Sequence, residues 1–135
     1  MSIRLLGIDH LVLRTRDIAG LIRFYCEVLG CTVEKRRDDL GLVHLRAGRS
    51  MIDLVDVNGP LGRVGGAPPG AEGKNLDHFA LRVETFDADA IREHLAAKGA
   101  TASGVMENFG AEGNGPSMYV CDPDGNTVEL KGPAH

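Results

Sequence analysis

The run Ile8-Asp9-His10-Leu11-Val12-Leu13-Arg14 recurs as Leu76-Asp77-His78-Phe79-Ala80-Leu81-Arg82, and this internal repeat limits the possible folds more than any other feature. Two occurrences so far apart in a 135-residue chain are too widely spaced for a solenoid unit and point to one duplicated module. Ile52-Asp53-Leu54 and Val128-Glu129-Leu130 correspond near the two module ends. The expected organisation is a single domain over 1–135, with a first module at about 7–57, a linker at 58–75 rich in Gly and Pro, and a second module at about 76–132.

Each module reads as βαβββ. In the first, residues 8–14 alternate like a strand, and Asp17 caps a helix whose Ile18, Leu21, Ile22, Tyr25, Val28 and Leu29 recur at helical spacing until Gly30. Residues 31–37, 40–46 and 50–57 follow as strands, with turns at Asp38-Asp39 and Gly48-Arg49. The second module gives a strand at 77–83, a helix from Asp87 to Lys98 closed by Gly99, and strands near 100–106, 117–121 and 127–131. Asp122-Pro123-Asp124-Gly125-Asn126 forms the last turn. Glycines between Asn108 and Gly115 read by composition as a flexible loop able to cover a site as a lid.

A hydrophobic share of 43% is enough to form a core, and a net charge of −4 without a basic stripe excludes a nucleic-acid partner. No apolar run reaches membrane-spanning length and no secretory h-region is present, so a cytoplasmic protein with a small-molecule partner is expected. Three cysteines without a C-x-x-C pair indicate neither a disulfide framework nor a cysteine metal site.

Strand parity then sorts the side chains. His10, Val12 and Arg14 share one face of the first strand, and His78, Ala80 and Arg82 share one face of the fifth. Met51, Asp53 and Val55 oppose Ile52 and Leu54, while Thr127, Glu129 and Lys131 oppose Val128 and Leu130. The apolar faces await the helices, and the other faces carry His, Asp, His and Glu. A lone strand histidine usually packs or hydrogen-bonds. Two histidines and two carboxylates at equivalent positions instead suit a divalent Zn, Ni, Co, Mn or Fe ion.

These residues resemble the vicinal oxygen chelate superfamily, which includes glyoxalase I, bleomycin-resistance proteins and extradiol dioxygenases. The resemblance rests on Asp9 to Arg14, Arg23-Phe24-Tyr25-Cys26-Glu27-Val28-Leu29-Gly30, Leu76-Asp77-His78 and Asp122 to Leu130, and it covers nearly the whole chain. It implies an α+β fold in which two βαβββ modules form a cupped mixed sheet with helices outside, commonly as a homodimer. It also implies metal ligation by His10, His78 and Glu129, with Asp53 where glyoxalase-type members have a fourth ligand, usually glutamate.

Three functions follow from the resemblance. The first is a glyoxalase I-like lyase or isomerase acting through an enediolate-type intermediate, with Glu129 as the base in preference to Asp53. Arg14 would then bind substrate, such as a glutathione adduct, although it reads equally as a solvated arginine. The second is an Fe(II) extradiol dioxygenase, for which His44 and Tyr119 are the available acid–base residues, His44 reading better as a solvent-facing strand residue. The third is a binding or resistance protein without catalysis. Fosfomycin transfer is disfavoured by Val12, which stands where that pattern has a hydroxyl residue.

Overall fold

The computed structural model describes residues 1–135 and divides into two compact units, Met1–Pro69 and Gly70–His135. Both are α+β, and each holds a four-stranded mixed sheet.

In the first unit, β1 (His10–Thr15) leads into α1 (Ile18–Arg23), then β2 (Thr32–Arg37), β3 (Leu42–Ala47) and β4 (Ser50–Asp56), in the sheet order β1-β4-β3-β2. β1 and β4 are parallel and the other pairs antiparallel. The Asp17 carboxylate accepts from the Gly20 amide at 3.0 Å, as expected of an N-cap. A Cβ on Gly20 would lie 2.2 Å from an Asp17 oxygen, so the cap depends on that glycine. The helix widens into a π turn over Phe24–Val28, where a continuous α-helix was expected. The adjacent Phe24 and Tyr25 are both buried there, packed edge to face with centroids 5.2 Å apart. Gly30 follows at φ +82°, a conformation that favours glycine. Leu13, Leu21, Tyr25, Leu45, Ile52 and Leu54 are buried and form the core, with Leu13, Ile52 and Leu54 on the faces that strand parity marks as apolar.

The second unit repeats the plan with β5 (Phe79–Arg82), α2 (Ala88–Ala97), β6 (Met106–Gly110), β7 (Gly113–Cys121) and β8 (Thr127–Lys131), in the order β5-β8-β7-β6. Met118, Val120, Val128, Leu130 and Leu95 are buried. The Asp122 carboxylate closes the turn before β8, accepting from the amides of Asp124 and Asn126 at 2.9 Å and from Asn126 Nδ2 at 2.8 Å.

Two expectations need correction here. The strand near 100–106 is an irregular segment with a single bridge, Ala102 to Val120, and β6 starts only at Met106. The lid expected over Asn108–Gly115 is a paired hairpin, with Asn108 opposite Gly115 and Gly110 opposite Gly113. Its glycines serve close packing rather than mobility, since a Cβ on Gly115 would stand 2.5 Å from the Pro133 carbonyl oxygen.

Candidate functional site

In the first unit, His10 opens β1 on the sheet's polar face, and Asp53 on β4 lies opposite Val12. The Asp9 carboxylate is 2.7 Å from His10 Nδ1, leaving Nε2 toward Asp53, whose Oδ2 is 3.9 Å away. The hydrogen bond that Nδ1 donates to Asp9, followed by the charge of Asp53, raises the His10 pKa above its ordinary value. Asp53 is only 5% exposed. Its other oxygen, Oδ1, lies 2.9 Å from His44 Nδ1. His44 is therefore not a solvent-facing strand residue: β3 places it directly opposite Asp53 and its side chain is largely buried.

The second unit repeats this arrangement with different chemistry. His78 lies one residue before β5, with Asp77 Oδ2 2.6 Å from its Nδ1 and Glu129 Oε1 3.5 Å from its Nε2. Glu129 is 6% exposed and receives two hydroxyls, Ser117 Oγ donating to Oε2 at 3.0 Å and the Tyr119 hydroxyl to Oε1 at 2.9 Å. Burial and the bond to Glu129 raise the Tyr119 pKa, which keeps the phenol a donor. Asn108 Nδ2 donates in turn to the Tyr119 oxygen at 3.1 Å. Tyr119 packs edge to face on His78.

Each unit thus holds an exposed imidazole, oriented through Nδ1 by the aspartate before it, beside a buried carboxylate. A hydrogen-bonded outer carboxylate is how proteins fix the tautomer and direction of a metal-ligating histidine. Two atoms that bind one ion at about 2.0–2.2 Å lie about 2.8–3.6 Å apart. The His78–Glu129 separation falls in that range, and the His10–Asp53 separation exceeds it by a few tenths of an ångström. No three His, Cys, Asp or Glu side chains of the structure are grouped so as to hold a metal ion.

Arg14 is engaged elsewhere. Its Nε donates to the Gly62 carbonyl, one Nη to the carbonyls of Gly62 and Gly66 at 2.8 Å each, and the other to that of Ala67 at 3.1 Å. A Cβ on Gly65 would lie 2.5 Å from Arg14 Nε, so Gly65 makes room for the guanidinium. Arg82, its counterpart in the repeat, instead pairs with Glu112.

Position opposite the carboxylate was the signal for His44. The two-residue turn Gly48-Arg49 pairs Ala47 with Ser50 and, counting back along both strands, His44 with Asp53. The same register logic sets Tyr119 opposite Glu129. Ser117 has no such signal, since it lies opposite Lys131 and reaches Glu129 diagonally.

Comparison with known proteins gives a family. The model of the Glyoxalase/Bleomycin resistance protein/Dioxygenase superfamily matches residues 7–130. The chain is 34% identical over 125 residues to Virulence protein STM3117 of Salmonella typhimurium, covering 91% of this chain and 81% of that protein. The crystal structure of that protein superposes with a TM-score of 0.72 at 29% identity, over 98% of this chain and 100% of the other. An integron cassette protein from the mobile metagenome of V. cholerae gives a TM-score of 0.74 at 27% identity, with 98% of each chain covered.

Proposed function

We propose that this chain, which belongs to the Glyoxalase/Bleomycin resistance protein/Dioxygenase superfamily, is a metal-dependent lyase or isomerase of glyoxalase type that acts on a small substrate with vicinal oxygens. The observation that carries this reading is the repeated pair, in which an Asp-oriented imidazole lies beside a buried carboxylate in each unit.

In this reading His10 and His78 bind a divalent ion through Nε2, with Glu129 as third ligand and Asp53 as fourth. The ion, when bound, supplies Lewis acidity toward the substrate's vicinal oxygens and makes the adjoining C–H acidic. Glu129 removes that proton and returns it to the neighbouring carbon, while Ser117 and Tyr119 hold the carboxylate in one orientation. His44 does the same for Asp53. Arg14 orders residues 62–67 and leaves substrate recognition to other groups. The exposed apolar side chains of Ile3, Leu5, Leu6 and Ile8 support a homodimer, since an apolar segment of this kind usually has a covering partner.

The test is metal analysis of protein purified without chelator, then assay of the reconstituted protein with methylglyoxal plus glutathione. Turnover dependent on metal and on Glu129 is expected. A metal-replete protein inactive on this and other vicinal-oxygen substrates would contradict the reading. One observation favours a second reading, an Fe(II) extradiol dioxygenase: His44 and Tyr119 both lie against the carboxylates. Oxygen uptake with catechols by the Fe(II)-loaded protein distinguishes the two.

A further inference from the structure

β2 forms the outer edge of the first sheet and is exposed along its whole length. Its pairing with β3 carries a bulge: Val33 lies opposite Leu45 and Lys35 opposite His44, two steps on β2 for one on β3. Strict alternation would keep Lys35 on the face of Val33, whereas the extra residue, Glu34, turns it onto the polar face beside His44. An edge lysine discourages strand pairing from either face, so that role does not account for the turn.

The strand registers define two rows across the polar face of this unit. One runs from His10 on β1 through Met51 on β4 to Arg46 on β3, and the other from Val12 through Asp53 and His44 to Lys35. Arg46 and Lys35 end these rows as diagonal neighbours. Lys35 makes no ion pair or hydrogen bond, and Arg46 has only Glu34, whose Oε2 is 3.6 Å from its Nε. The face is open to solvent along the first row, since the side chains of His10 and Arg46 are 47% and 39% exposed and Met51 between them is half-buried. Neighbouring strands lie about 4.8 Å apart, which sets Arg46 about 10 Å from His10.

We propose that Arg46 and Lys35 bind a carboxylate at the far end of the substrate, whose vicinal oxygens lie at His10 and Asp53 and whose apolar stem crosses Met51. This rests on the metal-dependent reading above and narrows its substrate class to vicinal-oxygen compounds with a carboxylate at the end of a short apolar chain. Arg46 offers the paired donors that match a carboxylate, and Lys35 adds a point charge.

The test is calorimetric titration of the Zn(II)-reconstituted protein with adipic monohydroxamate, whose hydroxamate supplies the vicinal oxygens, and with the uncharged amide of its carboxyl end. The wild type should bind the acid at least about fivefold more tightly than the amide at low salt, a preference that falls as salt is added. Lys35→Met and Arg46→Met should each reduce it, and together bring it below about twofold, with amide binding retained. Arg36→Met removes the same charge from the opposite face of β2, where Arg36 lies opposite Val43, and should keep the preference. Succinic monohydroxamate, two methylene groups shorter, falls short of Arg46 and should show little preference over its own amide. Equal binding of the adipic acid and amide by the wild type would overturn the carboxylate site and leave the metal reading intact. So would a preference undiminished in the double variant, one lost equally in Arg36→Met, or one as large for the succinic compound. Failure of the zinc-loaded wild type to bind any of these hydroxamates would overturn both.

Discussion

Asp53 and Glu129 occupy equivalent places yet have different partners, an imidazole for the aspartate and two hydroxyls for the glutamate. A buried carboxylate deprived of one donor keeps its desolvation cost, so Ser117→Ala and Tyr119→Phe should each lower stability by about 1–3 kcal/mol in urea denaturation. Unchanged midpoints would mean that these hydroxyls are incidental. The cysteines provide a pH test. Burial, and then the charge of Cys26, raise the Cys31 pKa to about 11, so Cys31 stays a protonated thiol through pH 9. A maleimide-type reagent at pH 8–9 should label the exposed Cys121 first and reach Cys31 only on unfolding. Rapid labelling of Cys31 in the folded protein would contradict this. At this scale the repeat and strand parity exposed both histidines and both carboxylates in the sequence. Arg14 was not legible, because its acceptors are backbone carbonyls in a linker whose path no side-chain pattern encodes.

The linker and the β6–β7 hairpin show where composition misleads. Both are rich in glycine, and Gly59, Gly62 and Gly65 of the linker and Gly110 and Gly115 of the hairpin are sites of close approach. A Cβ on Gly62 would lie 1.9 Å from the Asp56 carbonyl oxygen, so Gly62→Ala must displace backbone and should cost about 1–3 kcal/mol by thermal or urea unfolding. Arg14→Ala removes the guanidinium that gathers the carbonyls of residues 62–67 and should speed tryptic cleavage at Arg63. Cleavage at the wild-type rate would show that the anchor is dispensable. The hairpin pairs Gly110 with Gly113 and Asn108 with Gly115, which moved β6 from its expected place near 100–106. Elsewhere the elements were readable: β8 covers 127–131 as expected, and both helices begin after the aspartates whose side chains cap them. The π turn at Phe24–Val28 was not, since Leu21, Tyr25 and Val28 alone fit an α-helical spacing and the added burial of Phe24 shows only in the structure.

For the whole molecule, the duplicated βαβββ plan and the family match over 7–130 agree with the expected α+β class. No helix is long and apolar enough to cross a membrane. The proposed homodimer predicts a solution mass of twice the chain by light scattering, and a shift toward monomer when residues 1–8 are removed; a monomeric intact protein would contradict it. Metal identity and substrate were not legible, because imidazole and carboxylate suit several divalent ions. The two Asp-oriented histidines are the proposed ligands that repeat in both units. Metal content per chain should therefore be measured after identical reconstitution for the wild type, His10→Ala and His78→Ala. Loss of bound metal from both variants, with folding retained by circular dichroism, is the predicted result, and wild-type metal content in both would contradict the account.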